Sequence, residues 1–184
     1  RLLPKLLRAK GDDALLRVLA GALESEGFKV IGADTLLPSL QISPGPFGAA
    51  TPEAEDEVDI AIARDLLRVL GPYDIGQAAV VRSGRILGIE GPEGTDALID
   101  RCAALDEVAG GTLVKMRKPG QDDRVDLPSI GLKTIRLCVS ARLSGIAVEA
   151  HATLVLDQQE VRREADRHGL FVTGFVETPA TKPS

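Results

Sequence analysis

Apolar positions along the chain fall into two patterns: a spacing of three to four residues, and short unbroken runs. The first predicts amphipathic helices and the second buried strands. Leu15, Leu19, Ala22 and Leu23 share one helical face after a capping Asp12 or Asp13, and Gly27 stands in the C′ place. Residues 28–32 (Phe-Lys-Val-Ile-Gly) then read as a short strand. Thr51-Pro52-Glu53 opens a further helix, with Thr51 as N-cap and Pro52 at N1. Its expected buried stripe is Val58, Ile62, Leu66, Val69 and Leu70, and Gly71-Pro72 stops it. Residues 77–81 and 85–90 are expected strands joined by a two-residue Ser83-Gly84 turn. Leu98, Cys102 and Leu105 mark the next helix, and residues 111–114 the next strand. Ile135, Cys138, Val139 and Leu143 give another helix, followed by strands at 145–149 and, briefly, 153–156. Asp157 and Glu160 resemble a capping box for a helix carrying Val161 and Ala165, and 170–176 is the last strand. This alternation predicts an α/β fold: a C-terminal mixed, mainly parallel sheet with flanking helices and one β-hairpin.

The first third of the chain is less complete. Residues 1–10 place Leu2, Leu3, Leu6 and Leu7 among Lys5, Arg8 and Lys10, a short amphipathic helix. The αβ pair over 12–32 cannot bury both its faces alone, and the chain opens on Arg1 and not on methionine. The expectation is that residues 1–37 end a Rossmann-like N-terminal α/β domain whose start is missing. Residues 38–52, with Pro38, Pro44, Pro46, Pro52, Gly45 and Gly48, read as a linker, and 53–184 as a second α/β domain.

Composition narrows the function. At 184 residues and 44% hydrophobic, the chain can bury a sizeable core. Its 22 basic and 27 acidic residues leave a net charge of −5, and aromatics are 3%, so nucleic acid is not an expected partner. Cys102 and Cys138 fall on apolar helix faces and read as core residues in a reducing compartment. No apolar run approaches the ~20 residues of a membrane span.

The chemistry concentrates between Lys115 and Thr134, a loop at a strand end punctuated by Pro119, Gly120 and Pro128. Asp122, Asp123 and Asp126 offer hard oxygen ligands of the kind Mg²⁺ prefers, with Glu90, Glu93, Asp96 or Glu149 as further candidates. Lys115, Arg117, Lys118, Arg124 and Lys133 can face a phosphate. Together these equip metal-assisted phosphoryl chemistry, with one aspartate aligning a water as general base. Asp122 is the first choice, since Gln121 and Arg124 flank it. The competing reading is a solvated loop whose charges pair among themselves. The turn 90–98 is a second candidate, because Gly94, Thr95 and Asp96 stand where a new helix presents unpaired N–H groups to an anion. Its competitor is a plain turn with Thr95 as N-cap. Glu149-Ala150-His151 ends a strand and could turn inward to a site. With only His151 and His168 in the chain, a zinc centre or a histidine triad is not expected.

Several of these stretches occur together in a recognisable order: Asp74-Ile75-Gly76-Gln77, Glu93-Gly94-Thr95-Asp96-Ala97, residues 118–128, Ile130-Gly131 and residues 145–150. As a set they closely resemble the LpxI family of bacterial UDP-2,3-diacylglucosamine pyrophosphatases of lipid A biosynthesis. The resemblance implies hydrolysis of UDP-2,3-diacylglucosamine to UMP and 2,3-diacylglucosamine 1-phosphate (lipid X). It further implies Mg²⁺ or a similar ion, water attacking the sugar-side phosphorus, and work at the cytoplasmic face of the inner membrane through peripheral contact. The family's critical aspartate matches Gln121-Asp122 best. The expected site is therefore Asp122, Asp123 and Asp126 for catalysis. Asp122 and Glu149 are expected at the metal, and Gly94, Thr95, Asp96, Lys115, Lys118, Gln121, Arg124 and Lys133 around the substrate. A homodimer stays open, as does a non-catalytic nucleotide-sugar or lipid-binding module.

Overall fold

The computed structural model describes residues 12–118, 124 and 127–177. The helix expected over residues 1–10 lies outside them. The described helices are α1 (Asp12–Ser25), α2 (Ala54–Leu70), α3 (Thr95–Ala103), α4 (Leu132–Ser140) and α5 (Gln158–His168), with one further helical turn at Ala33–Leu36. The strands are β1 (Gly45–Pro46), β2 (Ala78–Arg82), β3 (Arg85–Ile89), β4 (Thr112–Lys115), β5 (Ser129–Ile130), β6 (Gly145–Glu149), β7 (Leu154–Val155) and β8 (Phe171–Phe175).

Six strands form one mixed sheet in the order β1-β8-β6-β4-β2-β3. Its centre is parallel, β8 with β6 and β6 with β4, each joined through a crossover helix. The β2–β3 hairpin flanks it antiparallel on one side and β1 on the other. The expected hairpin turn is there: Ser83 and Gly84 both take positive φ, the conformation that matches strand twist. β5 and β7 form a separate parallel pair.

Strand alternation splits the core into two layers. Ala78, Val80, Leu113, Ile146, Val148 and Val172 face α3, α4 and α5 through Leu98, Cys102, Ile135, Cys138, Val161 and Ala165. Ala79, Val81, Val114, Ala147 and Phe171 face α2 through Ile60, Ala63 and Leu67. At the edge where β4 and β6 begin, buried Asp56 of α2 accepts hydrogen bonds from the Ser144 hydroxyl (2.7 Å) and the Thr112 hydroxyl (3.2 Å). One turn on, Asp59 accepts the N–H groups of Ser83 (2.9 Å) and Gly84 (2.7 Å), fastening α2 to the hairpin turn.

Four local expectations change. The buried stripe of α2 is Asp56, Asp59, Ile60, Ala63 and Leu67; Val58 and Val69 are 55% and 66% exposed. The N-cap of α2 is Glu53 in place of Thr51, its N–H held by Asp56 at 2.9 Å. Residues 28–32 form no strand and Phe28 is 64% exposed, because no described strand lies beside them to complete a ladder. Asp157 precedes α5 in a left-handed conformation without a side-chain cap. Part of the stretch expected as a linker is built into the C-terminal fold: Ile42 is buried in the core and β1 pairs with β8.

Candidate active site

The parallel strands end at one edge of the sheet, where Lys115 closes β4, Glu149 closes β6 and Phe175 closes β8. Because β2 and β3 alternate in direction, the same edge holds the start of β2 after Gln77 and the end of β3 before Glu90. Open α/β sheets bind ligands beyond this edge. A cleft of about 400 Å³ opens there. Its walls are Glu93, Gly94, Thr95 and Asp96 at the start of α3, Lys115, Ser129 and Ile130 of β5, Gly131, Lys133 and Thr134 at the start of α4, and Leu156.

Two helix N-termini thus converge on one cleft. Gly94, at φ 85°, is the N-cap of α3, and Thr95 is its first helical residue, which corrects the reading of Thr95 as cap. No side chain caps that first turn. At α4 the N-cap is Gly131, which has no side chain to offer, and its own N–H faces the Thr134 hydroxyl at 3.5 Å. First-turn N–H groups and the positive ends of both helix dipoles therefore point to the same space, the arrangement that attracts phosphate.

Thr95 uses its hydroxyl elsewhere. It donates to Glu90 Oε1 at 2.8 Å and accepts from Lys115 Nζ at 2.9 Å. The same ammonium donates to the Ser129 carbonyl at 3.2 Å. Lys115 and Glu90 are only 7% and 6% exposed, so both charges are largely removed from water and depend on these contacts. Glu90 Oε2 accepts the Gln77 N–H at 2.9 Å. Gly76 makes that approach possible: its φ is 51°, and a Cβ there would collide with the Glu90 carbonyl. Lys133, at the exposed rim, pairs with Asp96 at 2.7 Å, and that carboxylate pushes its pKa up.

The structure therefore brings Gly94, Thr95, Asp96, Lys115 and Lys133 into one cleft. It does not bring the other described candidates into its walls. Lys118 pairs with Asp74 at 2.7 Å, and Arg124 pairs with Glu24 of α1 at 2.5 Å. Glu149 accepts the Arg117 N–H at 2.9 Å and its guanidinium at 3.3 Å. Burial pushes the Glu149 carboxyl up, against the pull of these Arg117 donors. His151 is exposed, with a left-handed φ of 60°. Gln121, Asp122, Asp123 and Asp126 lie outside the described residues. In sequence they fall between Lys115 and Ser129, two residues of the cleft wall.

Among the described residues no three acidic, histidine or cysteine side chains gather as a metal site. Glu90 and Glu149 each have both oxygens engaged by donors. Ser129 and Thr134 were not singled out from sequence, although glycine before a helical run at Gly131-Leu132 is a readable N-terminal signal.

The chain matches the LpxI C-terminal domain over residues 43–173 and the LpxI N-terminal domain over residues 1–40. A UDP-2,3-diacylglucosamine pyrophosphatase LpxI from Caulobacter vibrioides is 43% identical to it over 183 residues, which is 95% of this chain. The chain spans 65% of the length of that relative.

Proposed function

Because the chain belongs to the LpxI family, we propose that it hydrolyses the diphosphate of UDP-2,3-diacylglucosamine to UMP and 2,3-diacylglucosamine 1-phosphate. The observation that carries this reading is the cleft itself. Two helix N-termini with glycine N-caps and two lysines surround a space at the carboxyl edge of the sheet, and the aspartate-rich stretch falls in sequence between two residues of its wall.

On this reading the diphosphate lies in the cleft. Lys115, Lys133 and the first-turn N–H groups of α3 and α4 draw charge from the non-bridging oxygens and expose the sugar-side phosphorus to attack. Asp122 aligns a water and takes its proton, and Asp123 and Asp126 are the other aspartates assigned to catalysis. The water oxygen bonds to the sugar-side phosphorus. The bond from that phosphorus to the bridging oxygen breaks, and the oxygen departs with UMP. Gln121 is a further group assigned to the substrate, and Lys118 and Arg124 join it only by leaving Asp74 and Glu24.

A divalent ion such as Mg²⁺, when bound, reduces the charge on the diphosphate and lowers the pKa of a coordinated water. The described carboxylates alone do not fit it, since those of Glu90 and Glu149 are already engaged. The proposal of an ion rests on Asp122 and its neighbours, and Glu149 joins them only by giving up Arg117. The family resemblance implies work at the cytoplasmic face of the inner membrane, and an acylated substrate is in keeping with peripheral contact there. No helix among the described residues is long and apolar enough to cross a membrane.

The test is release of UMP from the diacylated nucleotide sugar, with Mg²⁺ or with chelator, in ¹⁸O water. Label in the sugar phosphate and none in UMP is the expected result, with activity lost on chelation. Asp122→Ala is expected to hold substrate and stop turnover. Substrate bound intact over hours by the wild-type protein would overturn the reading and favour a binding module.

A further inference from the structure

Glu90 is a carboxylate buried behind Thr95, a wall residue of a cleft suited to anions. A bare carboxylate there opposes phosphate binding, so its retention beside Lys115 needs a reason within the local chemistry. Its two oxygens have distinct partners: Oε2 takes the Gln77 N–H at 2.9 Å, and Oε1 takes the Thr95 hydroxyl at 2.8 Å.

A hydroxyl has one proton to give. Once Thr95 donates it to Glu90, the hydroxyl oxygen must accept from Lys115, and it does so at 2.9 Å. The direction of the chain is therefore fixed by the carboxylate. Each link involves a charged group, which shortens and strengthens it. Lys115 then reaches the Ser129 carbonyl at 3.2 Å. One run of hydrogen bonds thus ties the end of β3, the start of α3, the end of β4 and β5. Without the anion the Thr95 hydroxyl can turn its proton toward Lys115, so that oxygen is no longer a fixed acceptor beside the Ser129 carbonyl. A lysine held at fewer fixed points gains rotamer freedom, and small misplacements of charge weigh most in the transition state.

We propose that Glu90 is a positioning residue for the hydrolysis, acting through the Thr95 hydroxyl to fix the Lys115 ammonium in the cleft. This rests on the reading of the cleft as the diphosphate site. Its claim is narrower, namely that Glu90 and Thr95 act as one unit.

The experiment is a double-mutant cycle in the full chain, reading UMP release as kcat and KM separately. Glu90→Gln and Thr95→Val are the single variants, and Thr95→Ser restores the hydroxyl. Each single variant is expected to lose about tenfold or more in kcat with KM within about threefold, and the double variant to stay within about threefold of the worse single. Thr95→Ser is expected to recover most of the rate that Thr95→Val loses. A general loss of packing would move thermal stability in every variant, but it would not make the kcat losses overlap or let serine rescue them. Losses that multiply in the double variant, or full kcat in Glu90→Gln, would overturn the positioning role while leaving the hydrolase reading intact. Absence of UMP release by the wild-type protein would overturn both.

Discussion

Asp59 and Glu90 are both buried carboxylates, yet their partners give them different consequences. Asp59 accepts two backbone N–H groups of the hairpin turn, far along the sheet from the cleft. Asp59→Ala leaves those two donors without an acceptor, and we expect a loss of about 3 kcal/mol in urea unfolding with turnover per folded molecule unchanged. The thiols of Cys102 and Cys138 belong to the core: both are buried, and burial pushes both pKa values up. A thiol-specific reagent at pH 8 is expected to label neither until denaturant is added, and then both. Glu149 carries a pH signature. Its folded pKa is raised, so the folded state holds its proton more tightly than the unfolded state does. The stability it contributes is full below the ordinary carboxylate value and is lost as pH rises through the raised one. Without added Mg²⁺, Glu149→Gln should flatten that stretch of a Tm-against-pH curve; an unaltered slope would contradict the assignment.

At the scale of elements, α2 shows why the hydrophobic pattern located helices better than it located their faces. Val58, Ile62, Leu66 and Val69 make the more apolar stripe, but the buried one contains Asp56 and Asp59. Polar side chains that accept hydrogen bonds from neighbouring elements are invisible to a periodicity count, so the face was misphased. Val58→Lys and Val69→Lys are accordingly expected to change stability by less than about 0.5 kcal/mol each, checked by chemical denaturation. Strands β2, β4, β6 and β8 are readable because each is buried on both faces, giving an unbroken apolar run bounded by turn residues. Residues 28–32 had the composition of a strand and lacked a neighbour, which composition does not reveal. Gly145 makes the pairing of β6 and β8 strict, since a Cβ there would enter the Phe171 ring. Gly145→Ala should cost about 1–3 kcal/mol by overpacking, or more where the ring cannot move.

At the scale of the whole molecule, the two ends of the sheet divide the labour. One is fastened by Asp56 and Asp59; the other opens into the cleft. The cleft was half legible in the sequence. Gly94, Thr95, Lys115 and Lys133 stood out because glycine turns and cations at strand ends have a local meaning. The link from Glu90 through Thr95 to Lys115 did not, because it joins residues that only the sheet brings together. Lys118, Arg124 and Glu149 carry charge of a suitable kind, and among the described residues they make ion pairs with Asp74, Glu24 and Arg117.

The strand order holds one more consequence. β8 lies between β6 and β1, and β1 precedes every other described strand in the sequence. Early sequence therefore brackets later sequence, and β1 has no seat in the sheet until β8 has been made. A nascent chain stalled before Phe171 holds the parts of a sheet that it cannot shut, exposing the edge of β6 to any passing strand. The ladder can therefore be sealed only after its second-from-edge strand arrives, however much of it was translated before.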